Sequence, residues 1–322
     1  MTALGLDLHL GCTPWHVPIG GRADQLAAQA AFAERHGYES FWLPESHFGG
    51  AGAIPEPLML LAAVAAATRR IRLATTSYLL PLRHPLQAAE QVAVLDQLSG
   101  GRVILGVGRG YAPELFEAFN VSRSSKREIF ADCLNAMREA WQGKPLGGAA
   151  TLAPEPVQKP HPPIWVAAFG PKALAQAGAL GLPYLASPME SLATLEANYA
   201  QHRAACAAAG LEPPPEVPVM RTVFVTEDPA ALAHVRGLLE RQLVQMREQT
   251  GAIRRAVPAR IEDWAIVGSP AEVEDEIERY RERLGMTHLI ATRLRVAGTE
   301  ASVFQDSLAA LAELTGKEVL AA

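Results

Sequence analysis

The sequence predicts an α/β fold built as a closed (β/α)8 barrel with an insertion segment late in the chain. Three observations predict it. Strand-like and helix-like segments alternate almost from end to end, which implies parallel strands joined by crossover helices. Apolar strands, such as the Trp-Val-Ala-Ala-Phe run at 165–169, suit burial on both faces. The 322 residues, 49% hydrophobic and 20% charged, carry many such units, which favours closure over an open sheet and fits one domain over 1–322.

Taken in order, residues 4–10 read as a strand and 24–36 as a helix that stops at Gly37. Residues 40–43 form a short buried strand, and 56–68 an apolar helix. A strand at 71–80, a helix at 86–98 and a strand at 102–107 follow. The helix at 125–141 places Phe130, Leu134, Met137 and Trp141 on one face. A Gly- and Pro-rich stretch at 141–163 reads as a long loop or hairpin. Next come a strand at 164–169, a helix at 171–180 and a strand at 182–186. The stretch from about 211 to 267 is less repetitive and reads as the insertion. Within it, Asp228 caps a helix with Pro229 at its first position and Gly251 past its end. Ser269-Pro270-Ala271-Glu272 is a capping box for a helix to 284, and a strand at 288–294 precedes the last helix.

Composition excludes several function classes. Lys+Arg 29 against Asp+Glu 34 gives a net charge of −5, with no footprint for nucleic acid or an anionic membrane. Cys12, Cys133 and Cys206 are too sparse for a structural metal site or a disulfide scaffold. The first residues lack a basic region before an apolar run, and the apolar run at 57–67 stops at Thr68-Arg69-Arg70. A cytoplasmic protein with no membrane span and no bound metal is expected.

Four segments have residues that suit chemistry. The strand Phe41-Trp42-Leu43 runs into Pro44-Glu45-Ser46-His47-Phe48, so Glu45, Ser46 and His47 would stand at the carboxyl end of a strand. A histidine there can act as acid or base, or merely cap the loop. In Gly106-Val107-Gly108-Arg109-Gly110 the glycines let the backbone approach a ligand, and Arg109 can recognise a phosphate or pair with a carboxylate. The run is not the dinucleotide fingerprint. Ala168-Phe169-Gly170-Pro171-Lys172 opens a helix whose N–H groups, with Lys172, suit an anion. Thr75-Thr76-Ser77-Tyr78 leaves room for a flat ligand at a strand end, and His84 before Pro85 reads as structural.

Together these segments resemble the bacterial luciferase-like family of flavin-dependent monooxygenases and oxidoreductases. The likeness rests on Leu43-Pro44-Glu45-Ser46-His47-Phe48, on Arg83-His84-Pro85, and on Leu95-Asp96-Gln97-Leu98-Ser99-Gly100-Gly101-Arg102 beside Gly106-Val107-Gly108-Arg109-Gly110. Gly181-Leu182-Pro183 and Gly268-Ser269-Pro270-Ala271-Glu272-Val273 extend it.

The resemblance implies a barrel with an insertion, reduced FMN supplied by a separate reductase, and oxygenation of a small organic substrate with dioxygen. It places flavin phosphate near Arg109, Gly170 and Lys172, with Arg127 from the following helix, and counts Gly110 and Ala168 among the cofactor contacts. It lays the isoalloxazine against Thr75, Thr76 and Ser77, with a non-prolyl cis peptide at Thr76–Ser77. Where luciferases have two histidines, this chain has Ser46 and His47, so His47 inherits the proton-handling role beside Glu45. It also implies a homodimer through the helices at 56–68 and 86–98, and a mobile cover at 251–264. A deazaflavin coenzyme used for hydride transfer is the alternative cofactor, and a non-catalytic flavin-binding relative a further one.

Overall fold

The computed structural model describes residues 8–15, 23–48, 50, 53–248, 258–292, 301–317 and 319. In chain order the elements are β1 (His9–Cys12), α1 (Ala23–Arg35), β2 (Ser40–Leu43), α2 (Pro57–Ala67), β3 (Arg72–Thr75), β4 (Tyr78–Leu79) and α3 (Pro85–Ser99). Then follow β5 (Val103–Gly108), α4 (Pro113–Ala118), α5 (Lys126–Trp141), β6 (Ile164–Ala167), α6 (Pro171–Ala179), β7 (Tyr184–Leu185) and α7 (Leu192–Ala208). The last are β8 (Pro218–Val225), α8 (Pro229–Glu248), β9 (Ala265–Gly268), α9 (Pro270–Leu284), β10 (His288–Thr292) and α10 (Ala301–Leu314).

The chain divides into two compact units. One contains Ser40–Ala167 and begins with the described residues before Phe32; the other contains residues 8–15, Phe32–Glu39 and the described residues from Ala168 onward. In the first, β2, β3, β5 and β6 pair in parallel, registered at Ser40↔Arg72, Leu73↔Val103 and Leu105↔Ile164, and β4 adds to β5 at Tyr78↔Val107. In the second, β1, β10, β8 and β9 pair in parallel, registered at His9↔His288, His288↔Pro218 and Thr222↔Ala265. The expected α/β alternation with parallel strands is therefore present in both units.

Local chemistry sets the boundaries. Pro57, Pro85, Pro171 and Pro270 each open a helix, where the missing N–H would be unpaired anyway. The expected capping box is present: Ser269 Oγ accepts from Glu272 N, and Glu272 Oε2 accepts from Ser269 N at 2.7 Å. Ser269→Ala is expected to lower stability by about 1 kcal/mol, read from chemical denaturation. On α5, Phe130, Leu134, Met137 and Trp141 are all buried, as their spacing predicts, and Trp141 Nε1 donates to Ala89 O at 3.0 Å.

The Leu-Asp-x-x-Ser-x-Gly-Arg run has a structural role. Arg102 donates to the carbonyls of Ala65, Thr68, Ile71 and Ser99, tying the ends of α2 and α3 to β3. Asp96 is fully buried and accepts from Gln158 N and Nε2 at 2.9 and 2.7 Å, which anchors the 142–163 loop. That loop contains one antiparallel bridge, Gly147↔Ala150.

Three expectations are corrected. The strand at 71–80 is two pieces, β3 and β4, because the chain breaks register at Thr76-Ser77 before Tyr78 pairs again with β5. The strand at 164–169 stops at Ala167, and the apolar Phe169 is exposed rather than buried. The stretch at 211–267 is not irregular in its first part: it holds β8, eight residues long and buried throughout. Its Pro213-Pro214-Pro215 punctuation masks that strand in the sequence. Residues 4–7, Gly251, 252–257 and 293–294 of the expected elements lie outside the described residues, as does the first half of the expected cover at 251–264.

Candidate active site

β2 delivers the first functional group. Its four residues are all buried, and two residues beyond Leu43 the carboxylate of Glu45 is turned inward with a fully buried side chain. A buried carboxylate must be paired and hydrogen-bonded to be tolerated. Glu45 meets that requirement three times. Arg83 Nη2 lies 2.9 Å from Oε1, His47 Nε2 lies 2.8 Å from the same oxygen, and Leu79 N donates to Oε2 at 3.0 Å. Burial nevertheless pushes the Glu45 carboxyl above the usual carboxylate range, outweighing the pull of Arg83, His47 and the Leu79 N–H.

Arg83 follows the 3₁₀ turn Leu80–Leu82 and is held through both terminal nitrogens, while its buried Nε has no hydrogen-bond partner among the described residues. It lies over the Tyr78 ring at 4.3 Å, and Nη1 donates at 2.8 Å to both oxygens of Glu56. Tyr78 is itself buried, with its hydroxyl donating to Gln91 Oε1 at 2.7 Å.

His47 is 7% exposed at its side chain and turns Nε2 to Glu45. Facing an ionised carboxylate, Nε2 holds the proton, so Nδ1 is the nitrogen left to exchange protons. The Phe119 ring meets His47 edge-on at 5.0 Å, and the exposed Phe48 ring lies 5.9 Å away. Ser46, expected beside His47 in the chemistry, is engaged otherwise: it exchanges backbone bonds with Ile54, and its Oγ also accepts from Ile54 N at 3.0 Å. It shapes the loop that presents its neighbours.

At the end of β3, Thr75 is buried and donates from Oγ1 to Gly106 O at 2.8 Å. The Thr76–Ser77 peptide is cis, as expected, and both residues are half-buried. Ser77 packs directly on Gly108, where a Cβ would lie 2.1 Å from Ser77 Oγ and 2.9 Å from Ser77 Cβ. Gly108→Ala is therefore expected to cost about 1–3 kcal/mol by overpacking and to displace Ser77, read as a lower denaturation midpoint with weaker ligand binding.

Beyond β5 the charge is positive. Arg109 is 6% exposed, donates from Nη2 to Ala167 O at 3.0 Å and lies over the Phe130 ring at 4.8 Å. Lys126 donates to Gly110 O at 2.9 Å. Burial, and then the charge of Arg127, pull Arg109 down to about 10. Burial followed by Arg123, Arg109 and Arg127 pulls Lys126 below the ordinary lysine range. Arg109 beyond the strand thus shares its surroundings with Arg123, Lys126 and Arg127, a group of cations of the kind that suits an anion.

In the other unit, Ala168 is buried, Gly170 (φ +85°) caps α6 with open space where a Cβ would stand, and Lys172 is exposed in the first turn of that helix. Among the described residues no group of three or more His, Cys, Asp or Glu is placed to hold a metal ion, and no helix is long and apolar enough to cross a membrane.

Sequence reasoning missed Arg83, Glu56, Arg123, Lys126 and Phe119. A buried carboxylate at a strand end demands a cation, so Glu45 itself was the signal for one. Lys126-Arg127 beside Arg123 was the signal for the anion site.

The parallel α/β fold and the family-like segments at its strand ends can be compared with known proteins. Residues 9–288 match the family model described as luciferase-like monooxygenase, and the chain belongs to that family. Limonene 1,2-monooxygenase of Rhodococcus erythropolis is 39% identical over 147 residues, 43% of this chain and 37% of that protein. The oxygenase component of a flavin-dependent trigonelline monooxygenase of Acinetobacter baylyi is 29% identical over 157 residues, 46% and 44% of the two chains. The chain spans about half the length of the curated relatives it matches. Among solved structures, the oxygenating constituent of 3,6-diketocamphane monooxygenase from Pseudomonas putida, in complex with FMN, superposes with a TM-score of 0.82 at 22% identity, covering 98% of this chain and 99% of that one. A coenzyme F420 dependent tetrahydromethanopterin reductase from Methanopyrus kandleri gives 0.72 at 18% identity, covering 95% and 97%. At these identities the two structures show a shared fold.

Proposed function

We propose that the protein is the oxygenase component of a flavin-dependent monooxygenase, acting on a small organic substrate with reduced FMN delivered by a separate reductase. The observation that carries the reading is the pairing, within one compact unit, of the Glu45–His47–Arg83 cluster with the cation group Arg109, Arg123, Lys126 and Arg127. The donor set fits FMN: the cations suit its phosphate, and the small strand-end residues Thr75, Thr76, Ser77 and Gly108 leave space for a flat ring. By family resemblance Gly110 belongs to the cofactor contacts of the same unit.

Reduced FMN supplies the electrons that let dioxygen place one atom in the substrate and one in water. The chain's residues do the rest. Arg109 and Lys126 hold the phosphate, and His47 Nδ1 gives and takes the proton. Glu45 fixes the His47 tautomer and offsets the charge of the imidazolium, in the way a buried carboxylate orients a catalytic imidazole. The Phe119 ring, edge-on to His47 at 5.0 Å, packs against the imidazole that moves that proton.

A homodimer through α2 and α3 and a cytoplasmic location belong to the same proposal. Met59 on α2 and Leu98 on α3 are 73% and 62% exposed, apolar surface suited to a second copy. A deazaflavin coenzyme is the second reading: the histidine that directly precedes an aromatic at His47-Phe48 is compatible with either cofactor, and proteins named as coenzyme F420 dependent share the fold.

Anaerobic titration with reduced FMN, followed by admission of air, tests the proposal. Binding, and a transient spectrum before oxidised FMN appears, supports it. Binding of the reduced deazaflavin coenzyme and not of reduced FMN overturns it in favour of hydride transfer.

A further inference from the structure

Glu56 does not face His47, yet it shares a cation with the residues that do. Arg83 stands between two carboxylates, with Nη2 2.9 Å from Glu45 Oε1 and Nη1 2.8 Å from each oxygen of Glu56. The Pro55 carbonyl accepts a further bond from Nη2 at 3.3 Å. The Glu45 side chain is fully buried and that of Arg83 is 11% exposed, whereas Glu56 is 42% exposed.

The charges around His47 do not balance. Two carboxylates flank one fixed cation. Among the described residues, the other groups that meet the cluster are neutral: the Tyr78 phenol and the Cys133 thiol, both pushed up by burial, and the Phe48 and Phe119 rings. One negative charge is left over until His47 takes a second proton on Nδ1. Without the Glu56 charge, Arg83 would act on Glu45 alone, and the pull of Glu45 on that proton would be weaker.

We propose that Glu56 is a positioning residue that pins Arg83, cancels its charge and so raises the affinity of His47 for its second proton. The consequence for turnover rests on the oxygenase reading above; the effect on His47 does not, because the ring titrates without flavin.

The test follows the His47 ring C–H resonance by NMR across the pH range in the full chain, assigned by its loss in His47→Gln. In Glu56→Gln the titration midpoint is expected to fall by about one pH unit, the size of effect that removing a nearby charge produces at an effective dielectric constant of about 20. Glu56→Asp, which keeps the charge, is expected to stay within about 0.3 units of the wild type. A Glu56→Gln midpoint within about 0.2 units of the wild type, or above it, overturns the proposal. Glu56→Ser, judged by the same criterion, covers the case in which Glu56→Gln does not fold. Failure to bind reduced FMN would sink the oxygenase reading and leave this result standing; an unmoved midpoint would sink this inference alone.

Discussion

Arg109→Met is expected to weaken reduced FMN binding by at least about 10²-fold, the loss that follows when one partner of a buried charge-assisted pair is removed. Arg109 is buried, and burial followed by the charge of Arg127 disfavours its charged form. FMN is accordingly expected to raise the melting temperature of the variant far less than that of the wild type. Titration and thermal denaturation with and without FMN check both points; undiminished binding would remove Arg109 from the phosphate site. Lys126 adds a pH dependence of known sign. Its value in the free protein lies below the ordinary lysine range, and a bound phosphate favours the charged form. FMN affinity is accordingly expected to fall as pH rises through that lowered value, and the fall is expected to flatten in Lys126→Met.

His47→Ala is expected to lower product formation per reduced FMN consumed by about 10²- to 10³-fold, the usual worth of a positioned acid or base. FMN binding is expected to stay within about twofold, because the phosphate and ring contacts are made by other residues. Glu45→Gln should behave differently. It keeps the shape of the site but leaves Arg83 with Glu56 as its one carboxylate among the described residues, and the histidine without an acceptor that fixes its tautomer. Its loss of activity is expected to be accompanied by lost stability, whereas His47→Ala is expected to stay close to wild-type stability. Equal product yields from His47→Ala and the wild type would assign the proton to another group.

Much of the fold was legible because local rules acted without interference. The prolines that open α2, α3, α6 and α9, the buried stripe of α5 and the Ser269–Glu272 box each follow from spacing alone. What stayed hidden depends on long-range pairing. The split of β3 from β4 is decided by how each piece registers on β5, and β8 hides behind prolines that read as a loop. The same divide runs through the site. Glu45 and His47 are two residues apart and could be read together, and Arg109 stood out among glycines. Arg83 meets Glu45 across a sequence separation that no local pattern spans, and Glu56 reaches it from a third segment. Ser46 misled because it shares its neighbours' position but spends its hydroxyl on Ile54.

The central claim is that the cations around Arg109 hold the phosphate of a reduced flavin, and one measurement bears on it most directly: anaerobic titration of the wild type with reduced FMN and, separately, with reduced riboflavin, which carries the same ring and no phosphate. The account predicts that FMN binds at least about 10²-fold more tightly. Equal affinity for the two flavins would contradict it, because the cation cluster would then contribute nothing to holding the cofactor.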